Sequence, residues 1–391
     1  MKRISILLFS TLMLFACAPS VPVQTSVAVI DSLVAVTFND TTNLYFRIIA
    51  SDEAELTWDA TEGKKYNTPG RYQHKGTLVV PSQITVDGKV YKVTSVGDHA
   101  LFQQRSLTGL YFSDGIRHIG EKALSGCDRL IKLRLPETLE TVGVEAIARC
   151  KRLENVDLPN FIREMGKAAM YDCKSLCKVA IPRSMSVLPE ELFSGCFSLK
   201  KVKLHNKVTT IGERVFSNCE QLEKIDIPES VTEINPALFE YCHSLRRVSL
   251  STNIKNIPTE CFLACHSLEE IDFANIENIG AGAFVACNSM GNFNLPEGVK
   301  IIGEGAFALC AGIEEMRIPL SVEYVGNDAF EGCANLTDIY LLRIKPIEID
   351  SETAFPMKPC RINVPKGSVD SYQFTAKWKK YDYREYLVGK K

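Results

Sequence analysis

A cysteine that returns every 23 residues constrains the fold of this chain more than any other feature. Ten cysteines form the series, with a single step of 22 residues between the seventh and the eighth: Cys127, Cys150, Cys173, Cys196, Cys219, Cys242, Cys265, Cys287, Cys310 and Cys333. A fixed period of this size is typical of repeat proteins, in which each repeat stacks on its neighbours. The 391 residues are therefore predicted to form a solenoid rather than two or three compact domains.

The other positions of the repeat support this interpretation. An apolar residue, Phe in seven of the ten repeats, lies three positions before the cysteine. The stretch from Leu222 to Pro228 alternates apolar and polar residues, which is typical of a β-strand that proline ends because it cannot donate to the ladder. A second apolar pair, Val231 and Ile234, lies on the return path. One short strand, a shorter return strand and a helical turn that carries the Phe are predicted for each repeat.

The repeat resembles the BspA-like class of bacterial leucine-rich repeats. The resemblance rests on "SLKKVKLHNKVTTIGERVFSNC" and its neighbours, and on the flanks "GTLVVPSQITVDGKVYKVTSVGDHALF" and "RINVPKGSVDSYQFTAKWKKY". Pattern and resemblance together predict an α/β fold. They predict a right-handed solenoid with one short parallel strand per 22–23-residue repeat, short return strands, helical turns and a β-rich N-terminal cap.

Five segments are predicted along the chain. They are a lipoprotein signal peptide and lipobox (1–17), a tether (18–39), an N-terminal β cap (40–104), the leucine-rich repeats (105–354, ten full units to residue 333 plus a partial unit) and a C-terminal cap (355–391). Lys2 and Arg3 precede a short apolar run, which fits an export signal better than a transmembrane helix. The residues Leu14 to Cys17 resemble a bacterial lipobox, so Cys17 is the expected lipidation site. The alternative is a plain signal peptide with Cys17 discarded or unmodified.

This anchor would make the protein an outer-membrane lipoprotein that faces either the cell surface or the periplasm. The net charge of −2 and the pI of about 6.4 lack the excess of positive charge that is typical of nucleic-acid-binding proteins. No spacing typical of a metalloprotease, serine hydrolase, P-loop or calcium-binding loop occurs, so no enzymatic activity, cofactor or metal is expected. His243 and His266 hold the same position in successive repeats, which permits either a two-histidine metal site or a solvated corner.

The repeated cysteine is predicted to be a small buried hydrophobe. Stacked strands lie about 4.8 Å apart, whereas a disulfide requires Cβ atoms about 3.8 Å apart. A linear row of thiolates also cannot surround a zinc ion tetrahedrally. Outside the series, Cys261 is expected to be buried, Cys177 to lie nearer solvent, and Cys360 to begin the last strand.

The outward positions of the predicted sheet carry a charge pattern. Early repeats are basic and later repeats are acidic, and the candidate ligand-binding residues are Lys132, Arg134, Lys178, Lys201, Lys203, Arg246, Arg247, Glu270, Asp272, Glu315 and Tyr340. Such patterning favours a monomeric adhesion protein that binds an extracellular-matrix or envelope protein, because charge complementarity sets orientation and association rate. A solvated face without a ligand is equally compatible with the pattern. Two other functions stay open: a glycan-binding accessory protein of a nutrient-uptake system, and a structural envelope component.

Overall fold

The repeats stack as the coils of a parallel β-solenoid. The structure is a computed structural model that describes residues 24–30, 33–38, 42–58, 73–273, 275–356, 360–381 and 383–386. Most coils contribute one strand after the ladder cysteine and a two-residue strand on the return path, so two strand rows run along the solenoid. Residues one repeat apart pair in register, for example Lys178 with Lys201 and Val187 with Thr210. The strand periodicity predicted from the sequence is therefore confirmed.

The first strand row consists of parallel strands at Gly76–Val80, Leu107–Phe112, Lys132–Arg134, Lys178–Ala180, Lys201–Lys203, Lys224–Asp226, Arg247–Ser249, Glu270–Ile271, Glu315–Ile318, Asp338–Leu341, Arg361–Pro365 and Tyr383–Tyr386. The second strand row consists of strands at His118–Ile119, Thr141–Val142, Glu164–Met165, Val187–Leu188, Thr210–Ile211, Asn256–Ile257, Asn278–Ile279, Ile301–Ile302, Tyr324–Val325 and Glu348–Ile349.

Six further strands, joined by antiparallel pairing except for one parallel pair, continue the second strand row at its N-terminal end. They are Gln24–Ile30, Leu33–Phe38, Thr42–Ile48, Glu53–Thr57, Gln83–Val86 and Lys89–Val96. The first two lie within residues 18–39, for which the sequence predicts a tether. The alternating residues Val34, Val36 and Phe38 are buried there, and their burial accounts for the strand. The segment boundaries and the capping role of residues 40–104 stay predictions, and residues 1–17 lie outside the described part of the chain.

The predicted helical turns are not confirmed, and neither is the α/β class. Within the described residues, helix is limited to Val369–Gln373 and the 3₁₀ turn Ala376–Trp378 near the C-terminus. In each coil the residues five and one before the ladder cysteine have φ between +49° and +78°, as at Arg214 and Asn218. A right-handed helix cannot contain such residues. Their backbone N–H groups instead donate to the following coil, and Asn218 N donates to Glu240 O at 2.7 Å.

Stacked phenylalanines form the centre of the core. From Phe193 to Phe355, the rings of successive coils lie parallel to within 14° with centroids 5.2–6.1 Å apart. Trp378 ends the stack, with its ring centroid 5.4 Å from that of Phe355. A glycine follows many strands of the second row because the coils approach closely there: a Cβ on Gly166 would lie 2.4 Å from the backbone nitrogen of Val144. No helix among the described ranges is long and apolar enough to cross a membrane.

Candidate functional site

The outward side chains of the first strand row form one continuous surface, which we call the sheet face. The middle residue of a three-residue strand faces the core, as Val179 and Ile225 show, and the residues on either side face outward. Because pairing is in register, equivalent residues of successive coils line up in columns across the strands. The central column reads Lys132, Asn155, Lys178, Lys201, Lys224, Arg247, Glu270, Asn292, Glu315, Asp338 and Arg361.

All eleven predicted ligand-binding residues lie on or beside the sheet face. The central column contains Lys132, Lys178, Lys201, Arg247, Glu270 and Glu315, the column two residues on contains Arg134, Lys203, Asp272 and Tyr340, and Arg246 directly precedes its strand. The charged members are exposed and Tyr340 is half-buried. Sequence reasoning missed Lys224, although its position in the repeat is that of Lys201 and would have identified it. The structure therefore places four cations, Lys178 to Arg247, in consecutive coils of one column.

The basic and acidic parts of the sheet face meet at an ion pair. Arg247 Nη2 lies 2.7 Å from Glu270 Oε2 across the two strands. Within the described residues, Lys178, Lys201 and Lys224 form no ion pair. Glu223 and Asp226 flank Lys224 in the neighbouring columns and are exposed. The central column thus carries a run of uncompensated positive charge on one side of the Arg247–Glu270 pair and carboxylates on the other.

A cleft opens in the acidic part, where the first strand row is interrupted. Between Glu270–Ile271 and Glu315–Ile318 the described residues form no strand of the first row, and one isolated bridge joins Asn294 to Arg317. The coil has Gly and Asn at the outward strand positions, and both residues are poor strand formers. The Asn292 side-chain oxygen accepts from Glu314 N at 3.0 Å and Glu315 N at 2.9 Å, bonds that a backbone carbonyl accepts in the next coil.

The cleft has a volume of about 550 Å³ and a mixed lining. Glu269, Glu270 and Asp272 border one side, while Met290 and Phe293 supply apolar surface. Phe293 is half-buried, and its ring stacks on that of Phe273 with centroids 5.6 Å apart. A long side chain with a cationic head fits this chemistry, because its stem can cover the aromatic ring while its head reaches a carboxylate.

The far end of the sheet face is neutralised internally. Arg361 donates to both carboxylate oxygens of Asp338, from Nη2 at 2.7 Å and from Nε at 3.1 Å, and Asn363 Nδ2 donates at 3.0 Å. These bonds lower the pKa of Asp338 to about 2. The Arg317 guanidinium lies 4.8 Å from the ring centroid of Tyr340, so this aromatic ring already stacks with a protein cation.

The repeated cysteine has a bonding role that sequence reasoning missed. Each of the ten thiols donates to a backbone carbonyl of the preceding coil at 3.0–3.5 Å, as Cys242 Sγ does to Phe216 O. The thirteen described cysteines are free thiols, and twelve are buried. Burial raises the pKa of the Cys242 thiol. As predicted, Cys261 is buried and Cys177 is half-buried. Cys360 directly precedes the strand Arg361–Pro365 and is also buried.

The two aligned histidines stack on each other. The rings of His243 and His266 lie 4.8 Å apart and within 3° of parallel, and burial is the main cause that lowers the pKa of His266. In the described ranges, His, Cys, Asp and Glu side chains form no group of three that could hold a metal ion.

A second groove, of about 730 Å³, borders the second strand row at its N-terminal end. Its lining includes Arg47, Glu55, Trp58, His118 and Glu164. Arg47 Nη1 lies 3.7 Å from Glu55 Oε1, and His118 Nδ1 lies 2.9 Å from Thr141 Oγ1. The groove combines an indole with hydrogen-bonding side chains, and sequence reasoning missed it because its walls come from coils distant in sequence.

Sequence and structure comparisons point to one repeat family. A profile of the BspA type leucine rich repeat region, in six copies, matches residues 94–223, 186–308 and 277–366. A leucine-rich repeat protein from Bacteroides ovatus is 21% identical with a TM-score of 0.54, covering 88% of this chain and 98% of the other. A leucine rich cell surface protein from Faecalibacterium prausnitzii is 22% identical with a TM-score of 0.58, covering 95% and 100%.

The pneumococcal vaccine antigen PcpA is 16% identical with a TM-score of 0.51, covering 94% of this chain and 99% of the other. At these identities the solved structures show the fold alone. No curated protein matches the chain.

Proposed function

The chain belongs to the BspA-type leucine-rich repeat family, and from this premise we propose that it is a non-enzymatic envelope protein that binds another protein through its sheet face. The observation that carries the proposal is the charged central column, in which Lys178 to Arg247 are basic and Glu270 and Glu315 are acidic. Solenoids offer extended surfaces suited to recognition. Patterned charge on such a surface favours a protein ligand, because it sets orientation and partner choice.

The proposed location is the outer membrane, with lipidated Cys17 as the anchor and the sheet face exposed at the cell surface or in the periplasm. The lipobox-like Leu14 to Cys17 supports the anchor. The Faecalibacterium protein named as a cell surface protein has the same fold, which supports an envelope role. In this proposal the protein is a monomer whose ends are capped by residues 40–104 and 355–391, and adhesion to extracellular-matrix or envelope proteins is its role.

A binding panel tests the sheet face. Immobilised extracellular-matrix and envelope proteins should retain the wild-type protein at low salt. Reversing the charge of Lys201, Lys203, Arg246 and Arg247 together should abolish this retention. Unchanged protein binding by the reversed variant would remove the sheet face from the proposal.

Membrane fractionation tests the anchor. Wild-type protein should partition with membranes, a Cys17→Ser variant should not, and protease treatment of intact cells should distinguish outward from periplasmic display. A Cys17→Ser protein that still sediments with membranes would contradict lipid anchoring.

The groove at the second strand row favours glycan binding as a second candidate function. Indole rings and carboxylates are common in pockets for polar ligands, and the volume of about 730 Å³ suits a small oligosaccharide. A glycan array, repeated with Trp58→Ala, tests this function. Glycan binding that is lost in the Trp58→Ala or the Tyr340→Ala variant would favour a glycan ligand over a protein ligand.

A further inference from the structure

Resting on the proposed function, we infer that the sheet face binds an extended protein segment with two charge blocks. The acidic block lies over Lys178, Lys201, Lys224 and Arg247, and the basic block lies over Glu270 and the cleft beside it. The occupant is thus a polypeptide that carries both signs of charge in separate stretches. The charge pattern, the strand spacing and the cleft determine the chemistry, the length and the position of this segment.

The run of cations has an energetic cost in the isolated protein. Lys178 pairs directly with Lys201, and Lys224 pairs directly with Arg247, with neighbouring strands about 4.8 Å apart. Like charges placed directly opposite each other destabilise a sheet. Within the described residues the three lysines have no ion pair that would offset this repulsion. An acidic segment laid across the column would relieve it, so charge complementarity points to carboxylates above these four residues.

The position at which the charge changes sign is fixed by a contact. Arg247 and Glu270 pair at 2.7 Å, and the next described carboxylate of the column beyond the cleft is Glu315. A ligand whose acidic block crossed this boundary would meet Glu270 and Asp272. Conversely, a basic block that moved the other way would meet Arg247 and Lys224. The boundary therefore sets the register of a bipolar segment along the solenoid.

The span of the charged column gives the length of the segment. From Lys178 to Glu315 there are six steps between coils, which at about 4.8 Å each make about 29 Å. An extended chain advances about 3.3 Å per residue, so roughly nine residues cover this distance. A segment of this length is a loop or a linear motif rather than a whole domain face.

The cleft next to Glu270 supplies a seat for the basic block. Its volume of about 550 Å³ is larger than one side chain needs, and the half-buried Phe293 offers an aromatic surface. A lysine or arginine of the partner would place its aliphatic stem against Phe293 and its charged head near Glu269 or Glu270. The interruption of the strand row thus provides a concave position on the sheet face beside Glu270.

An anionic polysaccharide is the less suitable occupant. A uniform polyanion that follows the column would leave the basic half after Arg247 and enter the field of Glu269, Glu270 and Asp272, which would repel it. Glu223 and Asp226 also flank the cationic run on both sides of Lys224. A polypeptide can place charges of either sign at chosen positions, and a polyanion cannot.

Two peptides of identical composition test the block pattern. Each has about ten residues: three Glu, three Lys and four Ser. In the block peptide the Glu residues precede the Lys residues, and in the mixed peptide they alternate. Fluorescence anisotropy at low salt should show the full-length protein binding the block peptide at least about fivefold more tightly than the mixed peptide. Equal affinities would overturn the inference, since composition and net charge are the same.

Variants locate the acidic block. Lys201→Glu with Lys224→Glu should weaken block-peptide binding by about tenfold or more. The matched control is Arg183→Glu with Lys207→Glu, which changes the net charge equally at exposed turn residues outside the charged column. The control should bind like wild type, and thermal melting should show that both proteins are folded. Equal losses in the two variants would overturn the inference, because only net charge would then matter.

A further variant and a competitor complete the test. Phe293→Ala with Glu270→Gln should weaken binding of the block peptide and should not weaken binding of a peptide that contains only the acidic block, because Glu270 repels that block. If dextran sulfate binds more tightly than the block peptide and loses binding in the Lys201→Glu, Lys224→Glu variant, the occupant is a polyanion and the inference is wrong. If only the block peptide fails to bind, the inference is wrong but the proposed function, which the binding panel tests, still stands. If the protein retains only glycans, both the inference and the proposed function are wrong.

Discussion

At the scale of single residues, two left-handed positions per coil determine how the return path is built. Most of these positions carry residues other than glycine, among them Arg149, Tyr241 and Leu309. Left-handed backbone costs a non-glycine residue about 1–2 kcal/mol. The cost is offset by inter-coil bonds, since the N–H of Tyr241 donates to Leu263 O at 2.8 Å. The local conformation is thus maintained by the neighbouring coil rather than by intrinsic preference.

Two alanines of one coil allow the cost of left-handed backbone to be measured separately from the loss of a buried methyl group. Ala286 has φ +59° and is half-buried, whereas Ala283 lies in the same turn segment, outside the left-handed region, and is fully buried. Ala286→Gly should leave the free energy of unfolding unchanged or raise it by up to about 1 kcal/mol, because glycine adopts positive φ without strain. Ala283→Gly should lower it by about 1 kcal/mol or more. Urea unfolding measures both, and a larger loss for Ala286→Gly than for Ala283→Gly would contradict the strain argument.

The sequence predicts the burial of the ladder cysteines but not their hydrogen bonds. Burial follows from the period and from the apolar positions around each cysteine. The acceptor of Cys265 Sγ, however, is Phe239 O in the preceding coil, and this partner depends on how the coils stack. Local pattern gives no information about such a contact. The same limit applies to Asn292, whose side chain replaces a backbone acceptor that only the stacked structure defines.

At the scale of elements, the predicted strand periodicity is confirmed and the predicted helical turns are not. An apolar residue followed three positions later by cysteine fits one turn of helix, and it also fits a tight four-residue turn. Left-handed residues lie between them, such as Asn218 before Cys219, and these residues fit the tight turn but not a helix. Asn or Gly, which would indicate left-handed backbone from the sequence, occupies this position only in some coils. The strands Gln24–Ile30 and Leu33–Phe38 were missed because they follow a proline-containing stretch typical of tethers.

A buried carboxylate links the last strands of the first strand row and makes their stability depend on pH. Bonds from Arg361 and Asn363 lower the pKa of Asp338 to about 2, below its value in the unfolded chain. A lowered pKa contributes stability that is fully present above about pH 4 and is lost as the pH falls toward 2. The shift corresponds to about 2 kcal/mol.

Asp338→Asn should therefore lower the free energy of unfolding by about 2 kcal/mol at pH 6. The difference from wild type should shrink steadily between about pH 4 and pH 2. Asp226→Asn, at an exposed carboxylate of the same sheet face, is the control and should differ little from wild type at any pH. Urea unfolding over this pH range measures both differences, and a pH-independent loss in Asp338→Asn would show that the paired carboxylate is not its cause.

The C-terminal elements close the phenylalanine stack. Trp378 is buried against Phe355, its Nε1 donates to Ile347 O at 3.1 Å, and Tyr372 Oη donates to Arg343 O at 2.8 Å. Trp378→Ala should lower the free energy of unfolding by about 3–5 kcal/mol, as is usual for a buried aromatic. Phe374→Ala, in the adjoining segment but 80% exposed, should change it by less than about 0.5 kcal/mol. Equal effects of the two substitutions in thermal or urea unfolding would contradict a closing role for Trp378.

At the scale of the whole molecule, stability comes from contacts between adjacent coils. The paired strands, the cysteine bonds and the stacked rings each join residues about one repeat apart. The energy of such a protein is nearly a sum over neighbouring units. The sequence period therefore predicted the architecture, whereas the charge pattern of the sheet face varies from coil to coil and its ligand does not follow from the period.

Removing one complete coil should consequently preserve the fold. Deletion of residues 197–219 joins Cys196 to Glu220, which keeps every later residue in its place within the coil and allows the ring of Phe193 to stack on that of Phe239. The shortened protein should be monomeric and show an unfolding transition as cooperative as that of wild type, with a modestly lower midpoint because one interface is lost. The control removes residues 197–208, about half a coil, and shifts all later apolar positions out of register. This control should aggregate or melt without cooperativity. Circular dichroism with light scattering measures both proteins, and equal behaviour of the two deletions would contradict the additive stacking of coils.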